Sequence, residues 1–408
     1  VELGFWEFVA LLTVAALVVR LAPGVPEPYR IAGSLAVVLV LLVLAPYMLN
    51  EFRVFQLSRV LYLVVVAVGL NMLTGYNGQI SLGHGAFVAL GAYTAGLLMD
   101  RDSQMGFLDA DPWPFWAAII VAGVLAALLG FALGFPALRL SGPYLAIATL
   151  ALIISFPQII VKYDEFTGGS QGIRIRRPEP PGFLGDMDTD RWIYFLALFL
   201  AVVMLIVAWS ILRGPLGRAF VAVRDSEVAA AAMGVNVART KVTAFTISAF
   251  YAGVAGAAHI LVTGNTGPND IDIVDSINYL TAIVIGGLAS ILGSAIGAFF
   301  LVFLPDEGPS LVEKIPVDFG VVDSAPGVIQ GALVILVALL MPYGFAGFFR
   351  RIATATPTGI AEGARALPGR AAALFDRFRG RPGLPRGETG PSSGAVATGD
   401  DGNPEEGG

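Results

Sequence analysis

Long apolar runs separated by short polar loops pattern this chain from residue 5 to residue 345. A helix crossing about 30 Å of hydrocarbon needs roughly 20 mostly apolar residues. Runs at about 5–20, 30–48, 55–75, 84–99, 114–135, 143–162, 192–212, 240–262 and 326–345 reach or approach that length. They predict an all-α polytopic membrane protein with about 9–10 transmembrane helices. The run 277–304 breaks the pattern, being too long for one comfortable span and too short for two. Its middle reads Gly286-Gly287-Leu288-Ala289-Ser290, with Gly293 following. Two half-helices joined within the membrane, a re-entrant or broken pair, fit such a run. Irregular backbone is tolerated at membrane depth where protein or a water-lined path satisfies it.

Charge orients these spans. Arg213, Arg218, Arg224, Arg239 and Lys241 crowd one loop, 213–239, and its edges, and the positive-inside rule makes that loop cytoplasmic. The next loop, 263–276, carries Asp270, Asp272 and Asp275 and no basic residue, and is expected outside. If 277–304 enters and returns, the final span ends in the cytoplasm together with Arg350-Arg351 and the Arg-rich tail. Counting backwards places the loops 163–191 and 100–112 outside, Arg139 inside and the N-terminus outside. Three regions follow: N-terminal spans at 1–54, a membrane core at 55–349, and a cytoplasmic segment at 350–408. Residues 350–380 can lie on an anionic membrane surface, so lipid is an expected partner. Residues 381–408 are rich in Gly, Pro, Ser and acids, a disordered composition.

Composition agrees with the pattern. Of 408 residues, 56% are hydrophobic and 14% charged, and mean hydropathy is +0.76; ordinary soluble domains carry about 25% charged residues. The net charge of −6 sits in loops and tail and says little about partners; no nucleic-acid partner is expected. There is no cysteine, which excludes disulfides, thiolate metal sites and a cysteine nucleophile. The first span is expected to direct insertion without a cleavable leader. The scarcity of Lys beside abundant Ala and Gly suggests a GC-rich bacterial genome, hence a bacterial plasma (inner) membrane.

Within the basic loop, Gly214-Pro215 stops the preceding helix, because Pro lacks an N–H and disfavours the helical conformation before it. Asp225 or Ser226 can cap a short helix, and Glu227 complements the positive end of its dipole. Val228 to Met233 sustain that helix and Gly234 can end it. Such a segment, held between two spans, suits docking into another protein. Its Ala229-Ala230-x-x-x-Gly234 core resembles the coupling-loop signature of ABC-importer permeases. The common signature has Glu directly before the Ala pair; here Val228 stands there and the acid is Glu227. With its flanks, Gly-Arg-Ala-x-x-Ala-x-Arg-Asp-x-Glu at 217–227, including Arg218, Arg224 and Asp225, it is similar to the permeases of branched-chain amino acid importers.

Two further stretches carry dense polarity. Residues 69–96 set Asn71, Thr74, Asn77, Gln79, Ser81 and His84 among Gly75, Gly78, Gly83 and Gly85. Polar groups at membrane depth are costly unless protein or a water-filled path satisfies them. The bland alternative is a tight turn followed by a small-residue packing face at Gly85, Ala89, Gly91, Ala92, Ala95 and Gly96. After the span from Tyr144, the loop Thr167-Gly168-Gly169-Ser170-x-Gly172 can form a backbone nest for an anionic group, or a simple external turn. Both stretches resemble the same permease family, and the resemblance covers roughly residues 60–345.

The resemblance implies a translocation pathway partly lined by Asn71, Gly75, Gly78, Ser81, His84, Thr167, Gly168, Gly169, Ser170, Gly286 and Gly287. It also implies two cytosolic ABC ATPases, a homologous second permease in a heterodimer, and an extracytoplasmic solute-binding protein. Lys162, Lys241 and Lys314 are followed by Tyr163, Val242 and Ile315, so no P-loop Gly-Lys-Ser/Thr is present and ATP and Mg belong on the partners. No catalytic residue, metal site or cofactor of the chain's own is expected. The alternatives are a urea or short-amide permease of the same family, an ion-coupled secondary transporter, and an intramembrane enzyme. The second lacks intramembrane carboxylates before residue 305, and the third lacks an acid/base dyad.

Overall fold

The computed structural model describes residues 5–21, 27–99, 113–138, 143–182, 185, 187–313, 331 and 344–345. The expected loop 100–112, Arg139, nearly all of the span 326–345 and the whole of 350–408 lie outside them. The described residues are helical apart from short connections and one two-stranded ribbon. Five helices are long and apolar enough to cross a membrane: Glu51–Tyr76, Phe115–Ala137, Tyr144–Lys162, Thr189–Arg213 and Val237–Thr263. Five shorter apolar helices occupy four more of the expected runs, two of them sharing 277–304. The chain is a multi-pass membrane protein.

Two of the long helices form the centre. Helix α3 (Glu51–Asn71) starts at Asn50, whose side chain accepts from the Arg53 N–H, and runs into a π-helical turn at Met72–Tyr76. Helix α11 (Val237–Thr263) starts in the same way at Asn236, whose side chain accepts from the Arg239 N–H. Within their spans 89% and 78% of residues are buried, against 28–33% in the three other long helices, whose free faces are apolar and suited to lipid.

Small residues let α11 sit backbone to backbone between its neighbours. A side chain on Gly91 of α4 (His84–Met99) would strike Gly253 O, and one on Gly256 would strike Val88 O. On the other side, a Cβ on Gly123 of α5 (Phe115–Ala137) would stand 2.7 Å from Val254 Cγ2. The packing face expected for α4 is therefore real at Gly91. Helix α8 (Thr189–Arg213) is joined to its neighbours by tyrosines: Tyr251 Oη donates to Met204 O at 2.8 Å, and Tyr194 Oη donates to Leu42 O of α2 (Glu27–Met48) at 2.7 Å. Each tyrosine buries its ring and satisfies its hydroxyl on a carbonyl.

The long apolar run breaks where expected. Helix α12 (Ile273–Gly286) begins in a capping box between Asp272 and Asp275, and α13 (Ile291–Glu313) follows after Gly287–Ser290. The two arms lie against each other: a Cβ on Gly286 would collide with Gly293 O, and one on Gly297 with Ala282 O. One element departs from expectation. Gly214-Pro215 does end α8, but Pro215 then opens α9 (Pro215–Asp225). Proline at a first helical position forfeits an N–H that has no partner anyway, so the residue that stops one helix starts the next.

Candidate functional site

The basic loop folds as two helices against the end of the bundle. In α9, Gly217, Phe220 and Val223 recur at helical spacing and are buried, leaving Arg218 outward, where its Nη1 donates to Arg213 O at 3.4 Å. Ser226 is the cap of α10 (Glu227–Ala232): its backbone turns extended and its Oγ accepts from the Ala229 N–H at 3.2 Å. Asp225, the other candidate cap, pairs with Arg224 instead. Helix α10 rests on Ala230, 4% exposed, while Val228 and Met233 stand 83% and 85% exposed. Ala229 faces outward beside them. Gly234 has φ +84, the left-handed conformation that glycine supplies at a helix end.

This loop is tied to the polar turn after α3 at two places. Arg224 Nη1 donates to Gly75 O at 3.0 Å, across 149 residues of sequence. Its aliphatic stem lies on Gly78, where a Cβ would stand 2.9 Å from Arg224 Cγ, and Gly78 itself has φ +77. Glu227 pairs with Lys241 Nζ at 2.6 Å, and Lys241 O accepts from Gln79 Nε2 at 3.2 Å. Arg224 therefore lies across the turn with 34% of its side chain exposed, while Val228 and Met233 point away from the protein.

Asn71, 1% exposed, grips the break between α12 and α13. Its Oδ1 accepts from the Ala289 N–H at 2.8 Å. Its Nδ2 donates to Ser290 O at 3.0 Å and Ser294 Oγ at 2.8 Å, with Gly287 O at 3.4 Å. One amide thus reaches several groups of the irregular connection, and Ser290 O is shared with the Ser294 N–H of α13 at 3.0 Å. Gly75 lies in the same joint, for a Cβ there would collide with Asn71 Oδ1 and stand 2.5 Å from Ala289 N. Gly287 has φ +120 and Ala289 φ +57, so this short connection turns through conformations rare for side-chain-bearing residues.

The following residues are different. Asn77 (2% exposed), Ser81 and His84 are buried, yet Asn77 Oδ1 and Nδ2, Ser81 Oγ and His84 Nδ1 have no hydrogen-bond partner among the described residues. His84 Nε2 meets Ser248 Oγ at 3.1 Å, and that hydroxyl donates to Gly69 O at 2.6 Å. With the hydroxyl proton on Gly69 O, His84 Nε2 carries the hydrogen and Nδ1 is left as a bare acceptor. Buried polar groups are ordinarily paired with protein or water, and these three side chains leave groups without a protein partner among the described residues.

The Thr167–Gly172 turn lies elsewhere, at the end of α6 (Pro143–Lys162). Thr167 Oγ1 donates into that end, to Ile160 O at 2.6 Å. The N–H groups of Gly168, Gly169, Gln171 and Gly172 all find acceptors in the turn or just before it. Strand β1 (Ile173–Arg174) then pairs with β2 (Asn265–Thr266). Those four donors are thus engaged internally, and Ser170 is exposed. The structure joins Arg224, Gly75, Gly78, Asn71 and Gly287 into one assembly and leaves Thr167–Ser170 outside it. Sequence reasoning passes over Ser248, Ser276, Ser290, Ser294, Thr149 and Gln79 as partners. Ser276 Oγ accepts from the Gly85 N–H at 2.9 Å, and Thr149 Oγ1 from the Leu82 N–H at 3.0 Å. The signal of the serines and the threonine is an isolated hydroxyl within an apolar run.

Comparison with known proteins covers the same region. Residues 52–339 match the family described as branched-chain amino acid transport system, permease component. The chain is 36% identical over 291 residues to the high-affinity branched-chain amino acid transport system permease protein LivM of Escherichia coli K12, covering 66% of each. It is 25% identical to LivH, a permease protein of that system in the same organism, over 69% of this chain and 90% of that one. It is 29% identical to the autoinducer 2 import system permease protein LsrC of Klebsiella pneumoniae, over 66% and 74%. The chain thus spans about two thirds of the length of the LivM relative it matches. No solved structure matches it.

Proposed function

The chain belongs to the branched-chain amino acid transport permease family, and from that premise we propose that it is the membrane-spanning subunit of an ATP-binding-cassette importer. The observation that carries this reading is α10. A capped helix held between two long apolar helices presents Val228 and Met233 almost fully to solvent. Large apolar side chains so exposed beside charged neighbours suit a protein–protein contact. The occupant is a cytosolic ATPase, one of two, which holds the ATP and Mg. Helix α10 and the chain's C-terminus then lie in the cytoplasm of a bacterial inner membrane.

The likeness to both LivM and LivH, two permease proteins of one system, supports a pathway built by this chain and a homologous second permease. The cargo proposed is branched-chain amino acids, brought by an extracytoplasmic binding protein. Asn77, Ser81 and His84 supply polar groups along the path, and the family's reach to LsrC fits a permease whose cargo is chosen largely by its binding protein. The ion-coupled and urea-carrying alternatives have no observation in their favour.

The test is co-expression with candidate cytosolic ATPases and pull-down, comparing the intact chain with Val228→Asp/Met233→Asp. Retained membrane insertion with loss of the ATPase supports the reading. An intact chain that binds no ATPase and still moves leucine in proteoliposomes would overturn it.

A further inference from the structure

The two ties of the polar turn point in opposite directions. On one side Arg224 reaches in from the junction of α9 and α10 to Gly75 O. On the other, Asn71 holds the connection Gly287–Ser290 by both ends of its amide. Between them lies the π-helical turn Met72–Tyr76, the only segment of that kind among the described residues. A π-turn interrupts regular helical bonding and commonly sits at functional sites. Gly75 is shared by both ties: its carbonyl receives Arg224, and its α-carbon packs against Asn71 and Ala289.

The far end of this chain of contacts is poised to change. Ala289 is the one non-glycine residue at positive φ among the described residues. That conformation costs roughly 1–2 kcal/mol for an L-residue, and the Ala289 N–H is held in it by Asn71 Oδ1. If Asn71 withdraws, the backbone loses its partner and the reason to stay strained. Physical coupling between distant sites requires an element with two arrangements, and a strained joint held by one side chain suits that role.

We propose that Arg224 and Asn71 are positioning residues that carry movement of α10 to the break between α12 and α13, with the π-turn Met72–Tyr76 as the link. This rests on the importer reading. Movement of α10 pulls Arg224, Arg224 shifts the Gly75 peptide, and the turn displaces Asn71 from Ala289 and Ser290. Glu227–Lys241–Gln79 is a parallel tie to the far end of the same loop and keeps α10 in register while Arg224 transmits.

The absence of cysteine makes a reporter simple to install. Leu288, 51% exposed, lies in the break, and Leu288→Cys can be labelled with a maleimide in the assembled transporter, with ATP and vanadate or without nucleotide. The expected result is a labelling rate that changes several-fold with nucleotide. Arg224→Ala should abolish that change and lower leucine uptake per ATP hydrolysed about tenfold, and Arg224→Lys, which can still reach Gly75 O, should restore part of both. Ser294→Ala removes one acceptor of Asn71 without unmaking the joint, and should blunt the nucleotide response. Combined with Arg224→Ala it should add nothing further, since both act on one chain of contacts.

A nucleotide response unchanged in Arg224→Ala overturns the proposal, as does a break that never responds in a complex that binds and hydrolyses ATP. If the Leu288→Cys chain recruits no ATPase at all, the importer reading falls and the linkage falls with it. Pull-down separates that case from the others.

Discussion

Asn71 and Asn77 belong to the same turn and sit equally deep, at 1% and 2% exposed, yet their surroundings are opposite. Every polar atom of the Asn71 side chain is paired, and all of its partners lie in or beside the break of the long apolar run. Neither polar atom of the Asn77 side chain has a partner among the described residues. The contrast separates two uses of buried polarity. A satisfied amide stabilises an irregular backbone joint, whereas one without a protein partner adds no such stability, and the proposed pathway gives it a use. Both residues look alike in composition; their partners tell them apart.

The sharpest way to break this contrast is Asn71→Leu. It leaves the Ala289 N–H and Gly287 O without their side-chain partner and should lower stability by about 3 kcal/mol, read as a fall in the unfolding midpoint of the detergent-solubilised chain. Gly75→Ala comes next. Its methyl must displace Asn71 and Ala289, at about 1–3 kcal/mol by overpacking, on the same assay. Asn77→Leu, close in volume, should shift stability by less than about 1 kcal/mol in either direction, while leucine uptake in the assembled transporter falls about tenfold. Ser81→Ala should move the midpoint least, by less than about 0.5 kcal/mol, with a smaller loss of uptake. Equal destabilisation by Asn71→Leu and Asn77→Leu would erase the distinction. Unchanged uptake in Asn77→Leu and Ser81→Ala would remove both from the path.

Much of the architecture is legible because membrane burial writes itself into hydropathy. The break at Gly287–Ser290 can be read because an apolar run of that length with glycines in its middle has few ways to fold. The capped helix after Ser226 can be read because capping chemistry is local. Helix α9 escapes a reading of Gly-Pro as a stop alone, although proline is as good at opening a helix as at closing one. The role of Asn71 is invisible for a different reason: its partners lie more than 200 residues away. The glycines of the same turn stand out as permissive, but which atoms approach them, Asn71 and Ala289 at Gly75 and Arg224 at Gly78, is a tertiary fact. The Thr167–Gly172 turn shows the reverse. Its glycines suggest a receptor for an anion, whereas in the structure the N–H groups of Gly168, Gly169, Gln171 and Gly172 bond within the turn or to Asp164 just before it.

The distance between Asn71 and its partners also has a consequence for biosynthesis. Ser294 emerges from the ribosome 223 residues after Asn71. At about 5–20 residues per second, that is a delay on the order of ten to forty seconds. Through that interval helix α3 is already inserted, and its terminal amide has neither the carbonyls nor the hydroxyl it will finally hold. A nascent chain stalled before Ser290 and α13 lacks the Ser294 hydroxyl and the Ser290 carbonyl for that amide, and an unpaired polar group at membrane depth is costly. The last arm of the broken pair to be made thus certifies the first central helix as complete.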